Sequence, residues 1–358
     1  MLEDYSQGFN SSIRRFEEML KTNITYFFDS QEIEYISQHY IDFGKINLAK
    51  KAIKIGNKQH PDNINILLLK SEILILEDKF KTANEILAFI HKVEPTNPEA
   101  YIQKATILSK LKKHNKSIEI LSTCLKHSEY KFEVWNLIAM EFLTIGNFQK
   151  AMNYFRLCIE NEPNDHQILY NLIYCIDNLK CFKDGVKILN QILDKDPYNE
   201  LVWLELGKLN LELNKTKDAL NSFDYAILCD DKFSAAYVEK GKLLQKNNNF
   251  LEAIENYQFS LTLESPSAFV YLRIGECFKM LRKYSLEMKY YKLSVKEDPN
   301  YEESWIALIE FYINKKNLKS ALMYCKKALK INENYPEYWV LYAKINKYLN
   351  EFVAAEEA

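Results

Sequence analysis

Residues 132–165 read FEVWNLIAMEFLTIGNFQKAMNYFRLCIENEPND. Trp135, Ala139 and Phe142 stand four and then three residues apart, which places them on one face of a helix. Ala151, Phe155 and Cys158 repeat that spacing in the order small, large, small and mark a second helix. Glu162-Pro163-Asn164-Asp165 then ends the second helix and supplies side chains that cap the next one. The stretch predicts a helical hairpin.

Outward from it, the pattern recurs every 34 residues. Trp135, Trp203, Trp305 and Trp339, the four tryptophans of the chain, are separated by 68, 102 and 34 residues. Pro61, Pro95, Pro163, Pro197 and Pro299 share a second phase, Pro266 misses it by one residue, and Pro98 and Pro336 share a third. With Ser30 as position 1, residues 30–335 divide into nine units without insertion or deletion. They are 30–63, 64–97, 98–131, 132–165, 166–199, 200–233, 234–267, 268–301 and 302–335. A partial tenth unit, 336–358, follows.

Position 4 is large and apolar in all ten units, from Ile33 to Trp339, and position 8 is small in eight, as at Ser71, Ala139 and Gly207. The exceptions suggest exchanges of volume: Ile173 with Gly185, Glu287 with Gly275, and Ile309 with Cys325, each pair predicted to touch. Residues 1–29 fit the period poorly. Ile13, Phe16, Met19 and Leu20 form a short stripe before Tyr26-Phe27-Phe28, which reads as an N-terminal capping segment. Phe352 and Ala355 open a second helix that stops half built, so the natural chain is expected to continue beyond Ala358.

The large, small, large helix, the small, large, small helix and the closing proline together resemble the tetratricopeptide repeat (TPR) family over residues 30–358. The resemblance implies an all-α fold, a right-handed α-solenoid superhelix of helix-turn-helix repeats. Small residues at positions 8 and 20 would let the helices approach, and an aromatic at 4 or 24 would fill the wedge between neighbouring units.

Chemistry is sparse in the sequence. The 47 basic residues, only five of them arginine, face 49 acidic ones, a balance that offers no broad positive surface to nucleic acid. Gly44 and Gly56, the nearest pair of glycines, lie twelve apart, which excludes a Gly-rich phosphate loop. His39, His60, His91, His114, His127 and His166 form no ligand pair, so no metal is expected. Cys124, Cys158, Cys175, Cys181, Cys229, Cys277 and Cys325 form no CxxC and suit packing better than catalysis. The acidic start Met1-Leu2-Glu3-Asp4-Tyr5 is unlike a secretory leader. The densest apolar stretch, Ile64–Leu76, is broken by Asn65, Lys70, Ser71 and Glu72, so no membrane insertion is expected. A reduced, cytoplasmic protein without cofactor, small-molecule substrate or catalysis is the expectation.

What remains is surface. The resemblance implies that positions 2, 5, 6, 9, 12 and 13 of each first helix line a concave partner groove. Some family members grip a C-terminal carboxylate there with lysines and asparagines, but only Asn171 fits that set. Position 5 is mostly apolar, as at Leu68, Leu204, Leu272 and Val340, which suits either peptide anchors or a seam between neighbouring first helices. Tyr170 and Tyr174 are the strongest candidate anchors, with Asn136, Met140, Asn171, Asp177 and Asn178 nearby as hydrogen-bonding and apolar neighbours. Lys208 and Lys242 extend the candidate groove, interleaved with Glu205 and Glu239. The function expected is a non-catalytic scaffold or adaptor holding a protein or peptide partner. The alternative is the TPR recognition module of a longer enzyme or regulator truncated at its C-terminus.

Overall fold

A computed structural model describes residues 2–22, 24–127, 131–163, 165–349 and 351, with side chains placed from residue 11 onward. Every regular element in it is an α-helix, and among the described residues there are twenty. The helices fall into two compact units, residues 1–180 and 181–358. In the first, α1 (Leu2–Thr22) precedes the hairpins α2 (Ser30–Asp42) with α3 (Ile46–Gln59) and α4 (Ile64–Leu76) with α5 (Phe80–Val93). The hairpins α6 (Pro98–Lys110) with α7 (His114–Cys124) and α8 (Lys131–Thr144) with α9 (Phe148–Asn161) follow, and α10 (His166–Leu179) closes that unit.

The second unit opens with α11 (Phe182–Leu193). Its hairpins are α12 (Glu200–Glu212) with α13 (Thr216–Cys229), α14 (Ser234–Lys246) with α15 (Phe250–Leu263), α16 (Ala268–Met280) with α17 (Tyr284–Glu297) and α18 (Glu302–Asn314) with α19 (Leu318–Ile331). A final helix, α20 (Pro336–Leu349), stacks on α19. From α12 to α19 each helix begins 34 residues after its counterpart in the preceding hairpin.

Local sequence explains both ends of the helices. Asn63, Asn97, Asp165 and Asn199 cap α4, α6, α10 and α12 by accepting a backbone N–H three residues ahead. Asp29 and Glu32 form a reciprocal capping box at the start of α2. Inside each hairpin the first helix ends at position 15 in the left-handed region, at Gly44, Asp78, Lys112, Gly146, Lys180, Asn214, Asn248, Arg282 and Lys316. Around Asn214, for example, the Lys215 N–H reaches back to the Asn210 carbonyl at 2.8 Å, which closes a Schellman turn.

Packing within each hairpin runs through positions 8 and 24. The Phe223 ring lies against the bare Cα of Gly207, Tyr257 against Gly241 and Tyr291 against Gly275. A Cβ at Gly207 would stand 2.3 Å from the Phe223 ring, so the absent side chain is what admits the aromatic. This corrects one expectation and refines another. Tyr291, rather than Glu287, takes the volume left by Gly275, and the position 24 aromatics Tyr257 and Tyr291 press on their own hairpin while sharing buried clusters with residues of the next one. Ile309 and Cys325 do share one buried cluster, whereas Ile173 and Gly185 belong to different units.

Position 4 also differs from the expectation. Trp305 is 5% exposed, but Trp135, Trp203 and Trp339 are only half-buried. Their polar tips explain the position: the indole N–H of Trp203, Trp305 and Trp339 donates to the carbonyl six residues back, at Pro197, Pro299 and Glu333, over 2.8–2.9 Å. The hydroxyls of Tyr101 and Tyr237 do the same to Pro95 and Asp231 at 3.0 and 3.1 Å. Position 4 therefore pins the turn between hairpins.

At the N-terminus, Phe16 and Phe28 are fully buried against Tyr40, with ring centroids 6.3 and 5.8 Å from Phe16, so residues ahead of the first hairpin cover its apolar end. Phe352 and Ala355 lie outside the described residues. No helix among the described residues is long and apolar enough to cross a membrane.

Candidate partner-binding surface

Several first helices of successive hairpins touch one another: α2 with α4, α4 with α6, α16 with α18 and α18 with α20. Among the described residues no two successive second helices pack as closely. Where they touch, the first helices thus form the inner, shorter side of the stack, the side on which the family resemblance puts positions 2, 5, 6 and 9.

Position 5 serves two purposes on that face. Leu68, Leu204 and Leu272 are buried and form the seam between neighbouring hairpins. Tyr170 stays 50% exposed and Val340 65%, so the seam reading fits the first group and the surface reading the second.

Around α8 and α10, Met140 and Asn171 come together across the two helices. Tyr174, 53% exposed, meets the Phe148 ring edge-on at 5.9 Å, a contact that steadies its ring. Met140 is also exposed, and the Asn171 amide lies 3.5 Å from its sulfur, joining α10 to α8 across the face. Gln167 donates to Asn171 Oδ1 at 3.4 Å, and the Asn178 amide turns back to the Tyr174 carbonyl at 2.8 Å. Asn136 Oδ1 is buried without a hydrogen-bond partner, an acceptor aligned with the same row of positions. Asp177 is exposed one residue before Asn178.

In the second unit Lys208 pairs with Glu205 at 2.8 Å and Lys242 with Glu239 at 2.7 Å, each along its own helix. Lys242 and Arg273 also flank the Phe269 ring at 5.0 and 4.8 Å. Each lysine keeps about two fifths of its side chain in solvent while Glu205 is buried, and each pair balances one positive with one negative charge, so this part of the face stays polar and neutral overall.

The thiols fit packing. Cys124 and Cys158 direct their sulfurs toward the Pro98 and Phe132 carbonyls at 3.7 and 3.8 Å. Burial pushes the Cys158, Cys277 and Cys325 thiols up to about 12, so they are neutral near pH 7. Among the described residues no group of three or more His, Cys, Asp or Glu side chains is arranged to hold a metal ion.

Sequence reasoning missed a second feature of the face. The first helices α2, α4 and α6 line an open cavity of about 730 Å³, walled in part by Glu34, Glu72 and Glu99. These occupy positions 5, 9 and 2 of three different units. Their acidic character at groove positions was the available signal, but it becomes a cluster only when the hairpins stack.

Comparison with known proteins follows the same lines. Residues 98–128, 132–165 and 303–335 match the tetratricopeptide repeat family. The DnaJ homolog subfamily C member 3 homolog of Dictyostelium discoideum is 27% identical over 145 residues, which covers 36% of this chain and 29% of that protein. The chain therefore spans less than a third of that relative. The crystal structure of the C-terminal part of a TPR repeat-containing protein from Cytophaga hutchinsonii matches with a TM-score of 0.52 at 12% identity, covering 67% of this chain and 99% of the other. That likeness shows the fold. The crystal structure of MamA protein matches at a TM-score of 0.41 and 18% identity, over 47% of this chain and 92% of that one.

Proposed function

We propose that this chain, a tetratricopeptide repeat protein, is a non-catalytic scaffold or adaptor that holds a partner polypeptide on the concave face of its first helices. Repeats of this kind indicate a protein-protein interaction role, and the finer assignment rests on one observation. Tyr170 and Tyr174 are about half exposed on α10, Met140 is exposed against Asn171 of the same helix, and Asn136 Oδ1 on α8 has no hydrogen-bond partner. Aromatic area next to unfilled amide hydrogen bonding suits an extended or helical peptide, whose side chains take the rings and whose backbone takes the amides.

Asn171, Asp177 and Asn178 belong to that surface in this reading, and Lys208 and Lys242 belong to the corresponding face of the second unit. Residues 1–29 act as a cap on nine 34-residue repeats and a partial tenth. Buried thiols at packing positions support a reducing compartment such as the cytoplasm.

Tyr174→Ala tests the surface. The ring is half exposed and lies outside the position 8 and 24 seam, so thermal unfolding should hardly move while affinity for the natural partner falls about tenfold or more. Unchanged partner affinity would remove this surface from the account.

A further inference from the structure

The cavity between α2, α4 and α6 has a composition that specifies its ligand. Glu34, Glu72 and Glu99 line it together with the amides of Gln38, Asn65 and Gln103, and among the described residues that line it none is a lysine or arginine. Burial raises the Glu34 and Glu72 carboxyls above the usual range, and Glu99 and Asp42 push Glu72 further the same way. The site therefore lacks positive charge.

Gln103 provides the independent sign. It is 5% exposed, and its Nε2 donates to the Leu68 carbonyl at 3.2 Å and to Glu99 Oε1 at 3.0 Å. Those two acceptors fix the amide and leave Oε1 buried without a donor. The carboxylates come from three helices, and no group of acidic side chains converges closely enough for a metal ion among the described residues. A flat cation with several N–H donors meets spread acceptors better than a point charge does.

We propose that this cavity receives an arginine side chain of the polypeptide held on the concave face, with Glu34, Glu72 and Glu99 supplying charge and Gln103 Oε1 accepting a guanidinium N–H. The proposal rests on the reading of that face as a polypeptide-binding surface. It names the chemistry of one anchor residue in the partner.

The test uses the full chain and nine-residue glycine/serine peptides carrying one central arginine, lysine or citrulline, followed by NMR of the Gln103 side-chain amide. Saturable movement of that amide with the arginine peptide is expected, with weaker binding of lysine and none of the uncharged citrulline isostere. The Glu34→Gln/Glu72→Gln variant keeps the side-chain shapes and should bind the arginine peptide about tenfold more weakly. An unmoved Gln103 amide, equal binding of citrulline, or unchanged affinity in the double variant would overturn the cation site, and lysine binding as strong as arginine would overturn the guanidinium assignment. Tyr174→Ala separates the two readings. It leaves the Gln103 response intact, so a partner indifferent to Tyr174→Ala removes the tyrosine surface while the peptide titration still judges the cavity.

Discussion

Gly207, Gly241 and Gly275 stand opposite Phe223, Tyr257 and Tyr291, while in sequence Ser37, Ser71 and Ala105 at position 8 are matched with the aliphatic Ile53, Leu87 and Leu121 at position 24, and Ile309 with Cys325. Volume moves from one side of the seam to the other with the sum roughly kept, as a close-packed interior requires. Gly207→Ala measures this directly. Alanine gains about 1 kcal/mol of helix propensity over glycine, but its Cβ collides with the Phe223 ring, and overpacking costs about 1–3 kcal/mol. The expected outcome in urea unfolding is a net loss of up to about 2 kcal/mol, recovered when Phe223→Leu is added. Additive losses would show that the two positions are not coupled.

Glu287 is the other residue-scale anomaly. It is 4% exposed at position 20, where most units carry alanine, and burial raises its carboxyl pKa against the pull of Lys279 and Lys315. An acid with a raised folded-state value holds its proton longer in the folded state than in the unfolded one. Stability is therefore lost as pH rises from the ordinary carboxylate range through the raised value. Glu287→Gln should abolish that part of the decline and stabilise the chain by about 1 kcal/mol at neutral pH, with little effect in mild acid. Parallel unfolding curves for both proteins across the whole range would refute the burial argument.

At the scale of elements, the turn inside each hairpin was hidden in the sequence. Position 15 is left-handed in all nine units, yet it is occupied by Gly, Asp, Asn, Lys and Arg, so no residue type marks it. The Schellman geometry dictates the conformation, and five units hold neither glycine nor asparagine there. Arg282→Gly should relieve that strain and stabilise by about 0.5–1 kcal/mol, measured by chemical unfolding. A destabilised variant would place the preference elsewhere. Tryptophan, by contrast, was legible as a period but not as a role: the spacing shows where the rings recur, and only coordinates show an indole N–H reaching the carbonyl six residues back.

For the whole molecule, the all-helical repeat could be read from the sequence because one register governs helix faces, caps and prolines together. The surface could be read only in part. Tyr170 and Tyr174 stand out as aromatics at groove positions of one helix, and the structure keeps both exposed. Glu34, Glu72 and Glu99 lie 38 and 27 residues apart and occupy unlike positions, so nothing short of stacking brings them to one cavity. The proposal that the concave side holds a polypeptide is the centre of the account. Its most direct measurement replaces Tyr174, and separately the exposed Leu228 on α13, with a photoactivatable phenylalanine analogue in the native cell. Crosslinks to a discrete polypeptide from residue 174 and none from residue 228 are predicted; equal labelling from both, or none from 174, would contradict it.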